Sequence, residues 1–223
     1  MEGTNPVNKK LTAALSGGAV LVVALTGCTS SSGGGSKGPD PKLVSWAKSV
    51  CDAVPAQDAK IKAANAAIST TAADTAKPQE LQKTDSQAFQ DMADGYKAIA
   101  TAVGKAGAPP GVEGGVKRLQ AVVKSFNSLS ASYADLKKQV DALNTKDQAK
   151  FASGLHDVAV QMTDLEKKHQ SGTEALKNLQ QGEVQDAIAQ QASCKKVAES
   201  ATASPAPSSP ASSPSASASS KKG

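Results

Sequence analysis

Aromatic residues make up only 3% of the 223 residues, with one tryptophan and two tyrosines. Binding of single-stranded nucleic acid by base stacking needs several aromatic rings, so the composition does not favour it. Of the 25 basic and 20 acidic residues, five basic and one acidic residue lie towards the two ends, which leaves 20 basic and 19 acidic residues within 40–199. A nearly neutral region with interspersed charges lacks a basic surface for phosphates. The sequence therefore predicts no nucleic-acid partner.

Histidines and catalytic motifs are also scarce. The chain has two histidines, His156 and His169, and contains neither a nucleophile elbow nor a Walker loop. The spacing of the two histidines places them on roughly opposite faces of a helix, so they cannot share a metal ion. We interpret both as histidines at the surface or rim of the fold. The chain is therefore predicted to be non-enzymatic, with no cofactor.

Two further sets of residues have both a functional and a structural interpretation. Asp91 and Asp94 lie one helical turn apart and could ligate a cation, but exposed acidic pairs of this kind are common, and no metal site is predicted. Trp46, Tyr96 and Tyr133 could line a ligand pocket. Because they lie near apolar helical stripes, we interpret them as core residues.

No apolar run is long enough for an ordinary transmembrane helix, which needs about 20 residues. The run Leu11–Leu25 is shorter and is interrupted by polar and glycine residues. It follows Lys9-Lys10 and ends in small residues, the pattern of a secretory signal peptide. The final residues, Leu25-Thr26-Gly27-Cys28, resemble the lipobox of bacterial lipoproteins. The resemblance implies that residues 1–27 are a lipoprotein signal peptide and that Cys28 receives the diacylglycerol and its palmitate-type chains.

Composition divides the rest of the chain into three parts. Residues 28–39 are a Gly/Ser tether after the lipidated cysteine, with a root-mean-square span of about 18 Å. Residues 200–223 contain ten Ser, six Ala and four Pro, and this composition predicts a disordered tail. Residues 40–199 remain, enough for one domain with a hydrophobic core.

Two cysteines remain for the domain, Cys51 and Cys194. An even pair in an exported domain favours a disulfide. Zinc binding is not predicted, because the chain has no CxxC and neither cysteine has a histidine at metal-ligand spacing. The alternative is two buried free thiols that pack as small apolar groups.

The domain shows helical periodicity throughout and no sustained strand alternation, which predicts an all-α fold. The first helix begins at Asp40-Pro41, and Pro55 is expected to kink or interrupt it before its stripe resumes. A turn is predicted over Thr70–Pro78, a second helix over Gln79–Val103, and a break over Gly104–Gly115.

The third helix is predicted over Val116–Leu143, because apolar residues recur there every three or four positions. Thr145 and Gln148 form a capping-box pattern for the fourth helix. That helix either continues through Leu179 or bends near Gly172. Residues 180–199 either extend it or form a short fifth helix, and their glutamines are interpreted as a solvated face. Long amphipathic helices with short connections predict an up-and-down antiparallel bundle of about four helices.

The whole layout is similar to that of the small lipoproteins and small secreted proteins of streptomycetes and other high-GC actinobacteria. The lipobox, the Ser/Gly tether, the opening-helix segment Val50–Val54 and the late Ser193–Lys196 segment carry this resemblance. It implies lipid anchoring and a disulfide but no activity. The leading expectation is a lipid-anchored interaction or scaffolding module whose partner is an envelope protein or wall polymer. The alternative is a binding protein for a small or lipidic ligand, favoured by an open slot at Trp46 or Phe126.

Overall fold

A computed structural model describes residues 38–73 and 77–202. The predicted all-α class is confirmed, because these residues form four long helices and two short ones and contain no strand. We number the helices in chain order. They are α1 Pro41–Ala73, α2 Pro78–Ala106, α3 Gly115–Asp141, α4 Gln148–Leu179, α5 Glu183–Ala189 and α6 Ala192–Thr202.

Each long helix packs against the next one along the chain, and α1 also packs against α5 and α6. Side-chain contacts show that neighbours are antiparallel. Near the start of α2, Ser86 Oγ donates to Asp141 Oδ1 at the end of α3, over 2.6 Å. Near the end of α2, Lys97 Nζ donates to Asn127 Oδ1 in the first half of α3, over 3.1 Å. The predicted up-and-down bundle follows from this order of contacts.

The first helix begins as predicted but is not interrupted at Pro55. Asp40 Oδ1 accepts a hydrogen bond from the backbone N–H of Lys42 over 2.7 Å, which satisfies a free donor of the first turn. The helix then runs through Pro55 to Ala73 without interruption. Apolar residues are buried on both sides of the proline, including Ala47 and Ile61, so tertiary packing offsets the backbone hydrogen bond that proline cannot donate. The predicted turn from Thr70 therefore starts too early.

Helix α2 extends three residues beyond its predicted end and stops at Gly107. Gly107 has φ of 74°, a conformation that glycine adopts without the steric cost of a side chain. Its carbonyl oxygen accepts a 2.8 Å hydrogen bond from Trp46 Nε1 of α1. The Gly/Pro segment therefore makes the predicted break and also fixes the first helix to the end of the second.

The start of α4 differs from the prediction. Asp147, not Thr145, is the N-cap, and its Oδ1 accepts from the backbone N–H of Lys150 over 3.1 Å. The capping-box interpretation of Thr145 and Gln148 was wrong because Gln148 is the first helical residue and the turn continues to Asp147. Leu143 lies after α3, which ends at Asp141.

Helix α4 is continuous through Gly172 to Leu179, which confirms the predicted alternative in which it continues through Leu179. Gly172 is buried, and a Cβ placed on it would lie 3.5 Å from Leu129 and 3.6 Å from Phe126 of α3. These are ordinary contact distances, so the packing of α4 on α3 leaves room for a Cβ at this position. The tail of the helical region forms two short helices, α5 and α6, where one was expected at most.

The predicted stripes form one main core, with a smaller cluster of Leu81, Phe151, Leu155 and Ala159 beside it. One stripe position was wrong: Val116 is 57% exposed, and Val122 takes the buried place in the first turns of α3. The glutamine-rich segment is not simply solvated either. Gln180 and Gln191 are partly buried, and Gln191 Nε2 donates to the carbonyl of Ala187 over 3.1 Å.

Candidate functional site

The predicted lipid-attachment residue, Cys28, lies outside the described residues, so lipidation stays a prediction. The other two cysteines form the predicted disulfide between α1 and α6. Their Cα atoms are 5.1 Å apart, and Cys51 is fully buried. Beside the bond, Ser193 Oγ donates to Asp52 Oδ1 over 2.8 Å. The last helical segment is therefore held against the first helix by a covalent bond and an adjacent hydrogen bond.

The acidic pair on α2 forms ion pairs with α1. Lys60 Nζ lies 3.1 Å from Asp91 Oδ1 and 3.9 Å from Asp94 Oδ2. Within residues 38–73 and 77–202, no three His, Cys, Asp or Glu side chains come together as a metal site would require. The ammonium group of Lys60 occupies the place that a cation would take between the two carboxylates.

The two histidines of α4 have different environments. His156 is exposed, as predicted. His169 is half-buried, which fits its interpretation as a rim residue, but both of its ring nitrogens contact tyrosine hydroxyls, which the sequence did not predict. Tyr133 Oη lies 2.8 Å from Nε2, and Tyr96 Oη lies 3.4 Å from Nδ1. We call Tyr96, Tyr133 and His169 the tyrosine–histidine cluster.

The rings of the cluster pack as well as bond. Tyr96 and Tyr133 stack with an interplanar angle of 3° and ring centroids 5.6 Å apart. His169 meets both rings edge-on, with centroids 5.4 Å from Tyr96 and 5.9 Å from Tyr133. Aromatic contacts of this geometry add about 0.5–1.5 kcal/mol each beyond area burial. The cluster joins α2, α3 and α4 at one level of the bundle.

A charged pair of α1 lies next to the cluster. Asp58 is 9% exposed. Its Oδ2 forms an ion pair with Nζ of Lys62, one turn along the helix, over 2.7 Å. Burial is the main cause that raises the pKa of the Tyr96 phenol, and electrostatic repulsion from Tyr133 and then from Asp58 adds to it. All four long helices therefore supply a polar side chain to this region.

Burial keeps the cluster uncharged near neutral pH. It lowers the pKa of His169 from 6.5 to about 4 and raises the pKa of Tyr133 above its ordinary value. A neutral imidazole has one N–H and one lone pair. One tyrosine must therefore donate to His169 while the other accepts from it. The arrangement supplies directed hydrogen bonds rather than charge.

A second buried titratable group lies elsewhere on α2. Asp85 is 3% exposed, and burial raises the pKa of its carboxyl from 3.8 to about 7. In the described part of the chain no basic side chain forms an ion pair with it. Asp85 therefore lowers the stability of the folded protein when it is ionised, since burial of an unpaired carboxylate is unfavourable.

The aromatic residues considered as pocket residues belong to the core, as interpreted. Trp46 is 6% exposed and Phe126 is 2% exposed, so neither lines an open slot. A cleft of about 480 Å³ lies elsewhere, between α1 and α2. Four alanines and five polar residues line it, with Lys83 and Asp91 among the polar ones.

Sequence reasoning missed three parts of this picture: the bonds of His169, the burial of Asp58, and the burial of Asp85. A signal was present for two of them. His169 follows Leu165 by four positions, and Asp85 lies four positions from both Leu81 and Phe89, so both continue buried helical stripes. Strict use of the helical spacing would have predicted that these two polar side chains face the interior of the bundle.

Comparison with protein-family models, with curated proteins and with solved structures finds no match to this chain. Among the described residues, no helix is long and apolar enough to cross a membrane. The function is therefore argued from the residues themselves.

Proposed function

We propose that the protein is a non-enzymatic, lipid-anchored interaction or scaffolding module on the extracytoplasmic face of the cell membrane. The observation that carries this proposal is the lipobox-like sequence at Leu25–Cys28, followed by a Gly/Ser tether. The described helical fold begins at Pro41, so about a dozen tether residues separate it from Cys28. A partner would be an envelope protein or a wall polymer within reach of the tether.

The anchor is tested by replacing Cys28 with serine in the native host. The variant should leave the membrane fraction and lose labelling by a palmitate analogue, because stable anchoring requires two or more acyl chains. Gly27→Ala is the matched control, since the lipobox accepts alanine at this position, and it should still fractionate with membranes. A Cys28→Ser protein that stays membrane-bound, or a wild type that takes up no label, contradicts the proposal.

The partner is sought by crosslinking in intact cells, with the wild type and Cys28→Ser compared side by side. An anchored scaffold should give discrete crosslinked species that disappear when the protein is released from the membrane. Persistence of the same species in the released variant would show an interaction that does not need the anchor.

The alternative function, a binding protein for a small or lipidic ligand, is favoured by the cleft between α1 and α2. The filled core around Trp46 and Phe126 counts against a ligand held deeper in the bundle. Native mass spectrometry of protein isolated from membranes tests this alternative. A bound molecule that is lost on Ala63→Trp, which fills the cleft, would support it.

A further inference from the structure

The tyrosine–histidine cluster is a three-helix junction whose geometry depends on the protonation of one ring. His169 of α4 contacts a hydroxyl of α2 through Nδ1 and a hydroxyl of α3 through Nε2. In the neutral ring one nitrogen donates and the other accepts, which suits two hydroxyl partners. We propose that these two contacts form a pH-sensitive latch that holds α4 against α2 and α3 near neutral pH and loosens on acidification.

Protonation changes the hydrogen bonds that the junction can make. An imidazolium donates from both nitrogens and accepts from neither. The tyrosine that donated its hydroxyl hydrogen to His169 then loses its acceptor and must rotate that hydrogen elsewhere. A buried hydroxyl without a hydrogen-bond partner destabilises the closed arrangement. The closed arrangement therefore binds an added proton poorly.

The surrounding charges do not favour an imidazolium. From α1, the carboxylate of Asp58 acts electrostatically on Tyr96, but it already pairs with the ammonium of Lys62. From α2 and α3 the cluster receives only the phenols of Tyr96 and Tyr133. On α4 itself, Lys168 precedes His169 and bonds Ser132 of α3, which adds a second positive charge nearby.

Two further titratable groups of α3 and α2 can be placed relative to the cluster. On α3, one turn beyond Tyr133, Lys137 pairs with Asp141. On α2, Asp85 precedes Tyr96 by three helical turns, about 16 Å along the axis. Neither group contacts the ring, so the local hydrogen bonds determine the response of the latch.

The size of the response follows from the two protonation equilibria. In an opened state the pKa of His169 returns to 6.5, whereas in the closed state burial holds it at about 4. Linkage then predicts that the opening equilibrium rises roughly 30-fold between pH 7.5 and pH 5. The change is confined to the part of α4 that the cluster holds.

Hydrogen exchange of the full chain, read by mass spectrometry and corrected for intrinsic rates, measures this opening. Amides around His169 in α4 should lose protection by about 30-fold between pH 7.5 and pH 5. His169→Gln, which can still donate and accept but does not titrate, should abolish the pH dependence. His156→Gln, an exposed histidine on the same helix, should retain it. Equal pH dependence in wild type and His169→Gln overturns the proposal.

A second measurement needs no variant. The ring protons of His169 should titrate well below pH 6 in the NMR spectrum, and the amides of α4 near the ring should shift with the same midpoint. Titration near pH 6.5, or titration that leaves those amides unchanged, would also overturn the latch.

Discussion

Replacing Asp85 with asparagine should make the stability of the protein far less sensitive to alkaline pH. Asp85 is 3% exposed in the core face of α2. Burial raises the pKa of its carboxyl from 3.8 to about 7, so the folded protein holds a proton that the unfolded chain has released between those values. Asparagine has nearly the same shape and never ionises.

The sign and size of the effect follow from linkage. Because the folded-state pKa is raised, the stability due to the bound proton is fully present below pH 4 and is lost as pH rises through 7. A shift of about three pKa units corresponds to about 4 kcal/mol over the whole window. Between pH 5 and pH 8 the wild type should lose about 3 kcal/mol that Asp85→Asn does not lose.

His169 gives the opposite slope and must be separated from Asp85. Its folded-state pKa is lowered to about 4, so its contribution to stability is present above 6.5 and is lost as pH falls towards 4. Urea unfolding of wild type and Asp85→Asn at each pH removes this contribution, because it is common to both proteins. The free energy of unfolding of Asp85→Asn minus that of the wild type should be about 3 kcal/mol larger at pH 8 than at pH 5. The variant should therefore be the more stable protein at pH 8.

The control is Asp157→Asn, which changes an exposed acid on α4 and should alter stability by less than about 0.5 kcal/mol at either pH. The reasoning is refuted if the difference between wild type and Asp85→Asn is the same at pH 5 and pH 8. In that case the carboxyl would have to be solvated or paired in the folded protein.

Two further predictions concern covalent and steric constraints. Joint replacement of Cys51 and Cys194 by alanine should lower the free energy of unfolding by about 2–5 kcal/mol, since the disulfide closes a loop with a sequence separation of 143; alkylation of both native thiols without prior reduction would contradict the bond. Gly95→Ala should lower the melting temperature, because its Cβ would lie 2.7 Å from Ile61 of α1. Gly172→Ala is the contrasting case and should be neutral or stabilising by up to about 1 kcal/mol, because its Cβ would meet only ordinary contacts. Equal melting temperatures for the two glycine variants would contradict the close approach of α1 and α2.

The sequence predicted the helices well because helix formation and burial share one local signal. Apolar residues spaced three and four apart mark α3 and α4 whatever their neighbours are. Boundaries were less accurate because they depend on which of several polar residues caps the helix. Thr145 and Asp147 are both suitable caps, and only the path of the connection decides between them. Pro55 did not interrupt α1 because long-range packing of the apolar residues on both sides outweighs the local effect of the proline.

The candidate site was hardly predictable, because its parts come from four helices. No local pattern places His169 between Tyr96 and Tyr133, which precede it by 73 and 36 positions. The disulfide was predictable because, with Cys28 interpreted as the lipid-attachment residue, one pair of cysteines remained for a domain that was expected to be exported. Chemistry that follows from residue type could be predicted, whereas chemistry that follows from helix packing could not.

Asp85 and the half-buried His169 have opposite effects on the response of this fold to acidification. From pH 7.5 to pH 5 the protonation of Asp85 favours the folded state, and the protonation of His169 in the unfolded chain opposes it. The contributions are each about 2 kcal/mol and opposite in sign, so global stability should change little. The latch, however, lies three turns from Asp85 and is not balanced by it. Acidification should therefore loosen α4 locally without unfolding the bundle.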